Sequence, residues 1–228
     1  MRGRQAELLL FQEPVSYATA WALQSRVHHE RVGEARPDTV LILEHLPVYT
    51  LGRSTKPSDW GGDPARLQAE GAEVHHVNRG GSVTYHGPGQ VIIYPVLRLT
   101  QYARGVKQYV QQLEDVIIAC LRDHGIEGQR REKTPGVWVA APHDAKIASI
   151  GIRVDRGVTM HGIALNVQMD LSPFGRITPC GLSNCRVTSM AEVLGRPVSV
   201  ADAKRDLALR LGALLGIDWL PPSLNRET

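Results

Sequence analysis

Apolar residues recur at three- and four-residue steps from Val106 to His124. Val106, Tyr109, Val110, Leu113, Val116, Ile117, Cys120 and Leu121 make one stripe, the pattern of an amphipathic helix, and Gly125 stops it. Pro14 opens a second predicted helix that runs to about Glu30, with Val15, Ala18, Ala22 and Val27 among its apolar positions. Ser189 with Glu192 reads as a capping box for a short helix ended by Gly195. Ser199 caps a last helix with Leu207, Leu211, Leu214 and Leu215 on one side. Val40–Leu43 is a continuous apolar run and predicts a buried strand. Val91–Leu97 predicts another, with Pro95 pointing to an edge position or a bulge. Strands are expected at Gly136–Ala140, Lys146–Val154 and Val158–Val167, and a loop at Pro57–Pro64.

Helices at both ends and mid-chain, with strands clustered between them, fit an α/β chain of the α+β type. Its expected form is a mixed sheet with packed helices, not strict βαβ alternation. The 228 residues are enough for one core, and no linker divides them, so a single domain over 1–228 is expected. Hydrophobic residues at 43% and charged residues at 21% exclude a disordered chain. A net charge of +3 favours encounter with acidic partners. It comes with no run of Lys and Arg, so nucleic acid is not an expected partner. Three cysteines without a Cys-x-x-Cys pair point to a reduced compartment. No apolar run reaches the length of a membrane span, and Leu8–Phe11 is too short for a signal-peptide core, so the expected location is cytoplasmic.

The densest unusual segment runs from Arg79 to Gln90 through Gly80, Gly81, Ser82, Val83, Thr84, Tyr85, His86, Gly87, Pro88 and Gly89. Glycines let backbone N–H groups approach a ligand, and Arg79, Thr84 and His86 add donors. The segment is a candidate cradle for a carbonyl, carboxylate or phosphate, or a plain glycine-rich turn. It contains neither the phosphate-loop nor the dinucleotide fingerprint. Lys146 opens a predicted strand; with period two it shares a face with Ala148, Ile150, Ile152 and Val154. A lysine on an apolar face is costly unless paired, which suits a base; alternatively its stem lies on the core and its ammonium reaches water. Cys180 sits between Pro179 and Gly181, a setting for a presented thiol or for a small buried hydrophobe. Cys120 belongs to the helical stripe, and Cys185 lies beside Arg186. His28-His29 and His75-His76 are adjacent pairs, poor geometry for a metal.

Three of these segments, in order, resemble the lipoyl(octanoyl) transferase family. They are Arg79 to Tyr94; Lys146-Ile147-Ala148-Ser149-Ile150-Gly151; and His161-Gly162-Ile163-Ala164-Leu165-Asn166-Val167 followed by Phe174, Ile177 and Pro179-Cys180-Gly181. Pro47–Arg53 and Val187–Met190 also fit. The match spans about Leu43 to Met190, and the ordered set is far more specific than any one motif. The resemblance implies a biotin/lipoate protein ligase-like catalytic domain. It implies transfer of an octanoyl (or lipoyl) group from acyl carrier protein to a lysine of lipoyl domains. The implied acceptors are those of 2-oxoacid dehydrogenase E2 subunits and the glycine cleavage H protein. It makes Cys180 the acyl-thioester nucleophile and Lys146 its activator and proton shuttle. Substrate contacts are carried onto Arg79 to His86, Ser149, Ile150 and Gly151, and Gly162, Ile163 and Ala164. It implies no cofactor, no metal and no membrane, and a monomer. The second cysteine, Cys185, is a departure from the family's pattern. An ATP-dependent ligase on the same fold and a non-catalytic lipoyl-domain or acyl-chain binding module are the alternative readings.

Overall fold

The computed structural model describes residues 4–68, 71–140, 144–178 and 185–221. In chain order the elements are β1 (Arg4–Leu10), α1 (Tyr17–Val32), β2 (Asp38–Leu43), β3 (Val48–Leu51), α2 (Pro64–Gln68), β4 (Glu73–His76), β5 (Val83–His86) and β6 (Gln90–Val96). Then come α3 (Val106–Asp123), β7 (Gln129–Arg130), β8 (Gly136–Val139), β9 (Ala145–Asp155), β10 (Val158–Asn166), α4 (Met190–Leu194), α5 (Val200–Leu215) and β11 (Ile217–Trp219). Eight strands form one mixed sheet in the order β11-β1-β2-β6-β10-β9-β8-β7, and β4-β3-β5 form a second, smaller sheet.

The apolar runs of β2 and β6 are buried because both faces of the large sheet are covered. Val40, Ile42, Val91 and Ile93 pack with α3 and α5 on one side. Leu41, Leu43, Ile92, Tyr94 and Val96 pack with Ala20 and Val27 of α1 on the other. A third cluster, including Tyr49, Leu51, Trp60, Val83, Tyr85 and Phe174, fills the small sheet. Among the described residues no helix is long and apolar enough to cross a membrane.

Several expectations shift. The first helix starts at Tyr17, capped by Ser16, whose hydroxyl accepts from Thr19 N–H. Pro14 and Val15 precede it, and Val15 bridges to His45 instead. Leu214 is 47% exposed while Leu207, Leu211 and Leu215 are buried, so it leaves the predicted stripe. Pro95 is in an interior strand, not at an edge, because β6 lies between β2 and β10. Pairing with β10 ends at Ile93, and the Thr159 hydroxyl takes over, donating to Pro95 O at 2.6 Å and accepting from Leu97 N–H at 3.0 Å. The missing proline N–H therefore falls where the ladder is already broken.

Period two fails inside β9. Val137 pairs with Ala148 but Trp138 pairs with Lys146, so Ile147 is an extra residue, a β-bulge. Directly paired residues share a face. Ala145, Ile147 and Ala148 enter the α3–α5 core with Val137 and Val139, while Lys146 turns to the opposite face with Trp138. The predicted companionship of Lys146 with Ala148, Ile150, Ile152 and Val154 is thereby overturned.

Candidate functional site

A cavity lies on the α1 side of the large sheet, beneath the loop that joins β4 to β5. Arg79, Gly80, Gly81, Ser82, Val83, Thr84 and His86 line it from the loop and β5, Ser149, Ile150 and Gly151 from β9, and Gly162, Ile163 and Ala164 from β10. Three segments far apart in sequence thus meet around one space. Tyr85 is the exception among the predicted contacts. Alternation along β5 sends its ring to the other face, 5.1 Å from Tyr49 and 5.8 Å from Phe174. Tyr17, Thr50, Tyr94 and His161 also line the cavity. Of these, Thr50, Tyr94 and His161 lie in segments already singled out, and nothing in the periodicity marks Tyr17.

The loop holds its shape by a buried arginine. Among the described residues Arg79 makes five hydrogen bonds: Nε and Nη2 to Thr50 Oγ1, Nη2 to Thr50 O, and Nη1 to Gly80 O and Ser82 O. Gly81 sits at φ 85°, in the left-handed region, and any Cβ on Gly52 would press into its carbonyl. Ser82 donates to Asp59 Oδ2 at 2.5 Å, and the Asp59 carbonyl accepts from Thr178 N–H at 2.6 Å. Asp59, read from the sequence as plain loop, therefore ties the glycine loop to the chain just before Pro179.

From Thr50 a polar chain runs through the sheet. Gln90 Nε2 donates to Asn166 Oδ1 at 2.8 Å, so its Oε1 accepts from His86 Nδ1 at 2.7 Å. His86 Nε2 is then the acceptor for the Thr50 hydroxyl at 3.2 Å. Asn166 Nδ2 donates to Thr188 O, and Thr188 N–H donates to Lys146 O. Desolvation, reinforced by His45 and Arg79, holds His86 well below the usual histidine range. Burial also takes His161 to about 3, with Arg79 and Arg153 adding to the effect. His161 stacks on Trp21 at 5.4 Å and shares a 2.8 Å hydrogen bond with Asn78 Oδ1.

Lys146 is 4% exposed. Its Nζ lies 5.5 Å from the centre of the Trp138 ring, and Arg131 lies 4.0 Å over that ring. Its stem passes across Gly136, where a Cβ would come within 2.6 Å of Lys146 Cε. Cys180 lies outside the described residues, as do Pro179 and Gly181. The flanking residues are fixed: Thr178 to Asp59 as above, and Arg186 by its carbonyl, which accepts from Lys146 N–H at 2.8 Å. Cys120 is buried in the α3–α5 core, and desolvation raises its thiol to about 12. Cys185 is partly exposed. Among the described residues no group of three or more His, Cys, Asp or Glu side chains gathers as a metal site.

Residues 16–211 match the family described as lipoyl protein ligase A/B catalytic domain. An octanoyltransferase of Syntrophotalea carbinolica is 45% identical over 205 residues, covering 90% of this chain and 92% of its own. An octanoyltransferase of Thermobifida fusca is 45% identical over 212 residues, covering 91% and 87%. Among solved structures, a lipoate-protein ligase A bound with ATP superposes with a TM-score of 0.73 at 15% identity, covering 97% of this chain and 90% of that one. The bipartite lipoate protein ligase of Thermoplasma acidophilum gives 0.72 at 14%, covering 97% and 88%. These structures share the fold.

Proposed function

We infer the reaction from the premise that this chain belongs to the lipoyl protein ligase A/B catalytic domain family, with curated relatives that are octanoyltransferases. It is an octanoyltransferase of protein lipoylation. The finer reading is a two-step transfer. The Cys180 thiolate, formed when Lys146 takes the thiol proton, attacks the thioester carbonyl of octanoyl acyl carrier protein. The new C–S bond forms, the carrier's C–S bond breaks, and the Lys146 ammonium returns its proton to the carrier sulfur, which leaves as a thiol and leaves Lys146 neutral for the second step. The lysine amine of a lipoyl domain, such as those of 2-oxoacid dehydrogenase E2 subunits and the glycine cleavage H protein, then attacks the acyl-enzyme. An amide forms, the Cys180–acyl bond breaks, and the amine proton passes to Lys146.

The observation that carries this reading is the convergence of the glycine loop, Ser149–Gly151 and Gly162–Ala164 on one cavity. Lys146 is turned to the face of Ser149, the cavity side of the sheet. Thioester-to-thioester exchange is nearly balanced and amide formation runs downhill, so the pair of steps needs no ATP. Backbone N–H groups of the loop are suited to the developing oxyanion. A positively charged Lys146 near Cys180 favours the thiolate.

The test mixes purified protein, octanoyl acyl carrier protein and an unmodified lipoyl domain without nucleotide. The expected result is one octanoyl group on the lipoyl-domain lysine. Modification seen only with free octanoate plus ATP would make the protein a ligase and overturn the reading.

A further inference from the structure

β8 accompanies β9 only as far as Ser149, opposite Gly136. Beyond it, residues 150–155 have β10 on one side and, among the described residues, no strand along the other edge. The Ile152 carbonyl accepts from Gly80 N–H at 3.0 Å, so the Ile152 backbone faces that edge. Strand periodicity turns the N–H and C=O of Val154 the same way. A groove of about 470 Å³ follows this edge, between Arg53 and Arg153, with Val106, Ile152 and Val154 as its apolar part. Gly80 lines both the groove and the inner cavity, so the two adjoin at that residue.

The chemistry of the groove is specific. Arg53 is exposed and makes no ion pair among the described residues. Arg153 has one carboxylate, Asp155, at 3.6 Å, and both side chains are about one-third exposed, so the pairing is weak. Val106 is 49% exposed, an apolar side chain that lines the same groove as the two cations. The complementary ligand carries an anion, a compact branched apolar group next to it, and then an extended stretch with amides to pair with a strand edge. It ends in whatever enters the cavity.

We propose that this groove seats the phosphopantetheine arm of the acyl donor. Arg53 and Arg153 take its phosphate, Val106 takes its geminal methyl groups, and the open edge of β9 takes its amides. The thioester then reaches the cavity past Gly80. This rests on the carrier-dependent transfer proposed above and adds the path by which the donor enters.

The test compares octanoyl-phosphopantetheine with octanoyl-pantetheine, donors that differ only in the phosphate. Wild-type protein should prefer the phosphorylated donor in kcat/KM by about tenfold, the size of one good charge-assisted contact. In the Arg53→Ala/Arg153→Ala double variant the preference should collapse, with the pantetheine rate unchanged. Transfer from preformed acyl-enzyme to a lipoyl domain should match wild type. A retained preference, or equal slowing of both donors, overturns the proposal, as does slowing confined to the acceptor step, which would assign the groove to the acceptor. If wild-type protein accepts octanoyl from neither donor nor from the intact carrier, the transfer reading fails and the groove proposal with it. An active wild type that ignores the phosphate sinks the groove alone.

Discussion

Lys146 concentrates the site's demands in one side chain. It is 4% exposed, lies against the Trp138 ring, and its backbone is held on both sides, by Arg186 O and by Thr188 N–H. Its stem needs the space that Gly136 leaves open. Two roles are assigned to it, and two substitutions separate them. On the proposed mechanism, Lys146→Arg still supplies a cation to favour the thiolate but offers no proton acceptor, because guanidinium stays charged. Lys146→Met removes both. Iodoacetamide alkylation of Cys180 at pH 7 should persist in part in the arginine variant and be mostly lost in the methionine variant. Single-turnover transfer to a lipoyl domain should fall about 10²–10⁴-fold in both. Wild-type alkylation and transfer in Lys146→Met would reduce Lys146 to a structural lysine.

At the scale of elements, the bulge at Ile147 puts that lysine and Ala148 on opposite faces. Strict alternation of the same residues would put Lys146 on the core face with Ala148; the bulge instead lets both Ile147 and Ala148 enter the α3–α5 core while Lys146 stays with Trp138 and Ser149. Deleting Ile147 would leave Ala148 opposite Val137 and Lys146 opposite Trp138 in regular pairing, so the lysine should keep its face, and the cost should be that of a lost core side chain, about 2–5 kcal/mol. Lys146→Leu should then change the urea midpoint by the same amount with and without the deletion. Recovery of most of the loss by Lys146→Leu in the deletion variant would mean that the deletion drives the lysine into the core. The bulge also marks the limit of sequence reading. The long helices α3 and α5 and the doubly buried strand β2 announce themselves by period or by unbroken apolar runs. A bulge leaves the composition unchanged and breaks the period silently. Short strands such as β3, β4 and β5 have too few residues to show a period at all. Within the site, the glycine-bearing segments were legible because glycine, arginine and histidine cluster there. Asp59 and Tyr17 were not, because each reaches the site only through the tertiary fold.

For the whole molecule, the cavity is set in a shell of buried histidines. His45, His86 and His161 are 0%, 7% and 3% exposed. Desolvation takes His45 to about 4 and His161 to about 3, and holds His86 well below its ordinary value of 6.5. Above pH 6.5 these rings are neutral in both folded and unfolded chains and contribute no pH dependence. As pH falls below 6.5, the unfolded chain takes up protons that the folded chain refuses, so stability drops. The loss continues until the folded values near 3–4 are reached. Each histidine adds a slope approaching about 1.4 kcal/mol per pH unit. Urea midpoints measured from pH 7 to pH 5 should fall steadily, and His45→Gln should flatten the slope by roughly one histidine's share. Midpoints independent of pH over that range would show that these rings protonate freely inside the fold.

In the proposed mechanism the molecule carries the acyl group on its own chain between two substrates. Intact mass after mixing with octanoyl acyl carrier protein, with no acceptor present, reads that intermediate itself. One octanoyl adduct that hydroxylamine removes is expected, present in Cys120→Ala and Cys185→Ala and absent in Cys180→Ala. An adduct that survives Cys180→Ala, or efficient octanoyl transfer by that variant, would contradict it.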